Sequence, residues 1–282
     1  MHRNPQETGI NIHSTTAPRA APPSRLLQLL ELRALWEFAA GVTALPWLRL
    51  APRGDGHPVL VLPGLVASDR STRLLRDFLA RRGYEVHGWG LGRNYGPRSG
   101  VEDAMLATIA WLHAKSGRKV SMIGQSLGGA YARLLAARRP DAVRSVITLG
   151  SPVTGHPRSS NAWRIYEFTS GKSSIDPRRW RQVTQTPRVP TTAIYSRSDG
   201  VVAWQNSVET RGPQTESIEV VSSHVGMAVH PGVLYAVAER LAQPEGQWQP
   251  FERRGWRAAV FPLPHPPKRS AGVDSLAPES GP

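Results

Sequence analysis

The 282-residue chain contains no cysteine. That absence excludes structural disulfides, thiolate metal sites and a cysteine nucleophile, and it removes the usual sequence sign of redox compartment. Lysine is scarce too: Lys115, Lys119, Lys172 and Lys268 are the only ones, so the net charge of +14 is an arginine charge. The arginines are spread along the chain rather than gathered in a block. No zinc-finger spacing, RNA-binding signature or basic heptad accompanies them, so nucleic acid is not an expected partner. The excess is read first as a compositional bias, and second as a modest affinity for acidic lipid surfaces. A membrane-spanning run is also missing. The most apolar stretch, residues 26–50, is interrupted by Gln28, Glu31, Arg33 and Glu37, whereas a spanning helix needs roughly 20 mainly apolar residues. It starts too far along the chain for a signal peptide and lacks the small-residue cleavage pattern. A cytoplasmic or peripheral-membrane location is expected. There is no internal repeat.

What remains is enough sequence for one globular domain with ragged ends. Residues 1–24, polar and rich in Pro, Ser and Thr, read as a disordered leader. Residues 25–50 read as an imperfectly amphipathic helix that either packs over the domain or lies on a membrane, packing being favoured. The domain itself is expected over 57–242. Val59-Leu60-Val61-Leu62, ended by Pro63-Gly64, suits a strand buried on both faces of a parallel sheet. Helix 71–82, strand 84–89, helix 101–115, strand 119–123, helix 128–139, strand 143–149, strand 191–195, strand 217–221 and helix 231–242 follow. Strands alternating with helices of this length predict right-handed βαβ units and a mostly parallel sheet covered on both faces. The alternation stops over 151–190, where a lid insertion with a short helix near 161–169 is expected. Residues 243–282, Pro-rich with Trp248, Phe251, Trp256 and Phe261, read as a mostly disordered tail that docks locally at most.

The segment Gly124-Gln125-Ser126-Leu127-Gly128 stands directly after a strand and directly before a helix. A serine on so tight a turn has its hydroxyl lifted clear of the backbone. Gly124 and Gly128 relieve the crowding two positions either side, and Gly129 lets the helix start close to the sheet. The helix N-terminus then favours a developing oxyanion. The bland alternative is an ordinary turn with a surface serine. A serine hydroxyl needs a base, and the base needs an orienting acid, in the order Ser, acid, His. Asp199 follows strand 191–195 in Ser196-Arg197-Ser198-Asp199-Gly200, whereas Asp141 precedes its strand and Asp176 falls in the insertion. As a bland alternative, Asp199-Gly200 is simply a turn. His224 follows the last strand in Ser222-Ser223-His224-Val225-Gly226. Its rival His230 stands just before Pro231, where it caps the final helix. His265 lies in the tail, and His57, His87, His113 and His156 precede the acid. The expected oxyanion donors are the backbone N–H groups of Leu127 and of Leu65 in Pro63-Gly64-Leu65.

Together, segments 59–69, 124–129, 146–152, 198–202 and 223–226 resemble the α/β-hydrolase superfamily, and more narrowly bacterial lipases and esterases of the triacylglycerol-lipase type. The likeness spans roughly residues 57–242. Such relatives often read His-Gly after the first strand where this chain has Pro63-Gly64, which leaves the backbone donor in place. The resemblance implies the α/β-hydrolase fold and a carboxylic ester hydrolase with no cofactor and no metal. Acyl transfer to an alcohol or thiol, and a non-catalytic binding protein, remain open on the same fold. A dehalogenase or epoxide hydrolase normally carries aspartate in place of Ser126. The apolar 26–50 stretch, Trp163, Trp180 and the arginine excess point to an ester or lipid substrate with an acyl chain, and to peripheral membrane contact through 26–50.

Overall fold

The computed structural model describes residues 21–154, 177–209 and 212–264. The short helix expected at 161–169, together with His156, Trp163, Asp176 and His265, lies outside them. Among the described residues six strands form one parallel sheet: β1 (Pro58–Leu62), β2 (Glu85–Gly88), β3 (Val120–Gln125), β4 (Val143–Leu149), β5 (Thr191–Tyr195) and β6 (Thr215–Glu219). Their spatial order is β2-β1-β3-β4-β5-β6, with every pairing parallel.

Because the sheet is covered on both faces, its interior strand β1 is apolar on both. Val59 and Val61 join the core on one side, with Leu75, Phe78 and Leu79 of helix α3 (Arg73–Arg81) and Val233, Leu234 and Val237 of helix α7 (Pro231–Leu241). Leu60 and Leu62 join the other, with Met105, Ile109 and Leu112 of helix α4 (Val101–Ser116) and Tyr131 and Leu135 of helix α5 (Leu127–Arg138). Helix α4 has left-handed glycines at both ends, Gly100 and Gly117, acids Glu102 and Asp103 in its first turn, and His113 and Lys115 in its last. Each charge sits at the end of the helix dipole that favours it. Helix α6 (Pro177–Thr184) closes the insertion against α5. There the buried Arg133 of α5 donates to Val183 O at 2.6 Å and to Gln185 O at 2.9 Å, and pairs with buried Glu209.

The ladder brings the strand ends level. Leu62 pairs with Gly124, Gln125 with Leu149, Leu149 with Ile194, and Tyr195 with Glu219. The loops after β1, β3, β4, β5 and β6 therefore emerge together at the carboxyl edge, where open α/β sheets place their ligand sites.

Three expectations need correction. The last strand ends at Glu219 rather than at residue 221: β5 turns away after Tyr195, so the ladder has no partner beyond it, and Val221 is 65% exposed. Residues 243–264 are not a disordered tail. They fold back over α7 through Phe261, fully buried in the core, with Phe251 packed against its ring at 4.8 Å and helix α8 (Arg257–Val260) between them. Phe251 N donates to Glu216 Oε2 at 2.6 Å, and Arg240 donates to Gln249 O at 2.7 Å. The leader expected over 1–24 ends in order, because Ser24 caps helix α1 (Arg25–Leu29) through its hydroxyl. A 3-10 turn (Leu30–Arg33) joins α1 to helix α2 (Ala34–Leu48), and this strap lies across the domain. No helix among the described residues is long and apolar enough to cross a membrane.

Candidate active site

Ser126 stands between β3 and α5 with φ 51° and ψ −121°. A non-glycine residue there is strained, and among the other described non-glycine residues only Val66, with φ 61°, has a positive φ. Both lie on the carboxyl edge. The elbow is possible because its glycines touch: a Cβ on Gly124 would overlap the Gly128 carbonyl, and one on Gly128 would overlap Leu62 O. Residues 63–67 lie against the serine, so that a Cβ on Gly64 would stand 3.3 Å from Ser126 Cβ.

The strain at Val66 has a visible anchor in Asn94, which the sequence reading did not single out. Val66 N donates to Asn94 O at 2.6 Å, and Asn94 Nδ2 donates to Pro63 O at 2.8 Å. Asn94 is fully buried and also accepts from Gly96 N at 3.1 Å. The loop is thus held at both ends of the Pro63-Gly64-Leu65-Val66 turn. Among the described residues, the N–H groups of Leu65 and Leu127 donate no hydrogen bond within the chain.

Asp199 and His224 meet directly. His224 Nδ1 and Asp199 Oδ2 are 2.7 Å apart, and both side chains are buried. Asp199 Oδ1 accepts from Val201 N and Val202 N, each at 2.8 Å, so the carboxylate is fixed through both oxygens. Gln125, next to the serine, donates from Nε2 to His224 O at 3.1 Å and ties the elbow to the histidine loop. Among the described residues no hydrogen bond joins Ser126 Oγ to the His224 ring, and such contacts commonly tighten only with substrate bound. Burial works to lower the His224 pKa, but the Asp199 carboxylate, with Glu31 behind it, outweighs burial and holds it above the ordinary histidine value. The other histidines go elsewhere. His230 caps α7 with Nδ1 buried and unpartnered, and burial lowers its pKa. His87 turns to Glu85 and His113 to Arg118 O.

A second trio imitates the first. His57 Nδ1 lies 2.5 Å from Asp55 Oδ1 and His57 Nε2 lies 2.8 Å from Ser121 Oγ. By distance this trio is the more complete, since its serine meets its histidine, but placement sets it apart from the first. His57 and Ser121 are fully buried at the opposite, amino edge of the sheet, and Ser121 is spent on Ser145 Oγ at 2.9 Å. This trio joins strands. No group of three or more His, Cys, Asp or Glu suited to hold a metal occurs among the described residues.

The family model for the alpha/beta hydrolase fold matches residues 57–171. Among solved structures, lipase B of Aspergillus fumigatus is similar at a TM-score of 0.55 and 15% identity, over 88% of this chain and 64% of that one. The metagenome-derived lipolytic enzymes LipS and LipT are similar at 0.48 and 19% identity, over 64% of this chain and 89% of that chain. Lipase BlEst2 of Bacillus licheniformis is similar at 0.49 and 16%, over 67% and 92%. With its parallel sheet, the chain has the α/β-hydrolase fold.

Proposed function

We propose that the protein is a serine hydrolase that cleaves carboxylic esters, with Ser126, His224 and Asp199 as its triad. The observation that carries this is the 2.7 Å pair of His224 and Asp199 on the same sheet edge as the strained Ser126. The superfamily fold supports hydrolase chemistry in general. Ser126 Oγ attacks the ester carbonyl carbon while His224 Nε2 takes the hydroxyl proton, and Asp199 holds the imidazole in the required tautomer. The carbonyl oxygen, now anionic, is received by the N–H groups of Leu65 and Leu127. The ester C–O bond breaks, His224 returns the proton to the leaving alkoxide, and water repeats the sequence on the acyl-enzyme.

The substrate class follows from the strap. Glu31, Arg33 and Glu37 turn inward, leaving Leu32, Leu35, Trp36 and Trp47 outside, with Trp36 80% and Trp47 76% exposed. The exposed charges of residues 25–50, Arg25 and Arg49, are both cationic. An apolar face rimmed by arginine suits an acidic lipid surface, so the ester is read as one bearing an acyl chain. Co-sedimentation with anionic vesicles, absent with neutral ones, tests this part separately.

A fluorophosphonate probe tests the chemistry. Single labelling at Ser126 is expected, and Ser126→Ala removes labelling and ester turnover together, by roughly 10⁴-fold or more. His224→Ala does the same, while His230→Ala keeps most of both. Labelling at another serine, unaffected by Ser126→Ala, overturns the reading.

A further inference from the structure

We infer that Glu31 is a positioning residue for His224, holding the loop of the base from a helical strap that precedes the hydrolase domain. The inference rests on the triad proposed above.

Glu31 Oε1 accepts from His224 N at 2.9 Å and from Gly200 N at 2.8 Å, and Oε2 accepts from Val225 N at 3.0 Å. One carboxylate therefore grips the acid loop and the base loop at once, one residue from Asp199 and at His224 itself. Six residues on, Glu37 Oε1 accepts from Ser223 N at 2.7 Å and its Oε2 meets Ser223 Oγ. Arg33 completes the brace, donating to Ser198 O at 3.0 Å, to Ser198 Oγ at 2.7 Å and to Glu37 at 3.3 Å. Every polar group that interrupts the apolar strap from Glu31 to Glu37 is spent on residues beside the triad.

The seat is shaped for this. A Cβ on Gly200 would overlap the Leu27 carbonyl, one on Gly226 would overlap the Glu37 carboxylate, and one on Gly41 would overlap Val229 O. Glycine at these points lets the strap come down close enough for the carboxylates to reach the backbone. Asp199, reaching the ring from the β5 loop, and Glu31, from the strap, are the charged groups that act on His224. Gln125 meets its carbonyl as a neutral amide, and Arg33 and Glu37 are engaged with each other and with Ser198 and Ser223. Glu31 thus has two effects, setting the loop by hydrogen bonds and favouring the imidazolium by charge.

The test uses the full chain with a short, soluble p-nitrophenyl ester. Glu31→Gln keeps the shape, removes the charge and leaves one amide facing an N–H. A kcat loss of about tenfold or more with KM nearly unchanged is expected, because a small misplacement of the base costs turnover rather than binding. The acid limb of kcat/KM should move down by about half a pH unit, since a nearby negative charge favours the charged imidazolium. Glu31→Asp keeps the charge but is one methylene short. Its acid limb stays at the wild-type position while kcat falls, and it carries the test alone if Glu31→Gln does not fold. A purely structural strap would shift the melting temperature and leave both the limb and kcat per folded molecule in place. That outcome, or wild-type kcat in Glu31→Asp, overturns the inference. Titration of the His224 imidazole by NMR reads the same pKa difference without turnover. A difference seen without ester turnover fails only the hydrolase reading, whereas turnover without a difference fails only the role of Glu31.

Discussion

Gly150 faces Asp199 across a gap tight for any side chain: a Cβ on residue 150 would stand 3.0 Å from Asp199 Oδ2 and from Met227 Sδ, and 3.1 Å from His224 Nδ1. Its φ is +55°, a left-handed value unfavourable to alanine,. Gly150→Ala should leave the sheet intact, because the residue lies past the end of β4, yet wedge apart the acid–base pair. A fall in kcat/KM of about 10²-fold, with circular dichroism unchanged, is expected.

Asn94 lies far from the elbow in sequence but anchors the loop that carries Leu65. Asn94→Ala removes the bond to Pro63 O and the acceptor for Gly96 N, and leaves the turn held only by the backbone bond from Val66 N to residue 94. The Leu65 N–H then loses its aim. Loss of one oxyanion donor costs about 10²-fold or more in kcat, and a partial loss of up to that size, with KM little changed, should appear in steady-state kinetics on a short ester.

The amino-edge trio predicts an acid-sensitive fold. Burial pushes the His57 pKa down to about 4, while the unfolded histidine takes a proton near its ordinary value of about 6.5. The unfolded state therefore binds more protons between those values, and stability falls as pH drops through that window. Burial favours the neutral form of Asp55, but its bonds to His57 and Arg144 outweigh that and hold its pKa below the usual carboxylate range. This extends the loss to lower pH. His230, also lowered by burial, acts in the same direction, and His224, raised, acts oppositely above the ordinary histidine value. Melting temperatures of wild type and His57→Gln, measured from pH 7 to 4, isolate the His57 part. The variant should lose less of its own stability across the window, and parallel curves would refute the assignment.

Phe261, fully buried against Phe251 and Tyr235, makes residues 243–264 part of the fold. Phe261→Ala should cost about 3–5 kcal/mol in denaturant unfolding, as large-to-small core substitutions do. Truncation after Gln243 should cost at least as much, with the Ser126 elbow, on the far edge of the sheet, unaltered in what remains folded.

The strands and the elbow were legible because their signals are local. Val59-Leu60-Val61-Leu62 can be buried on both faces wherever it goes, and glycines at 124 and 128 relieve a clash four residues apart. Asp199 and His224 could be singled out as candidates because they follow strands, although the last strand ends two residues earlier than its apolar letters suggest. Non-local demands were not legible. Glu31 and Glu37 read as blemishes in an amphipathic stripe, since nothing nearby shows which backbone they satisfy. Gly200 reads as a turn glycine, while in the fold it clears space for the Leu27 carbonyl. Asn94 looks like any loop asparagine. Phe261 sits among prolines with no periodicity, so its burial depends wholly on the ring and helix it meets.

The brace between Glu31 and Val225 joins residues 194 positions apart. During synthesis the backbone that the strap grips is made 194 residues after Glu31. At ordinary elongation rates the interval is roughly 10 to 40 seconds. Throughout it the strap's carboxylates have no N–H groups to receive, and its leucines and tryptophans have no domain beside them. The nascent chain thus carries its stickiest segment unhoused throughout that interval, and the site acquires its final order only once the loop of residues 223–226 has been made.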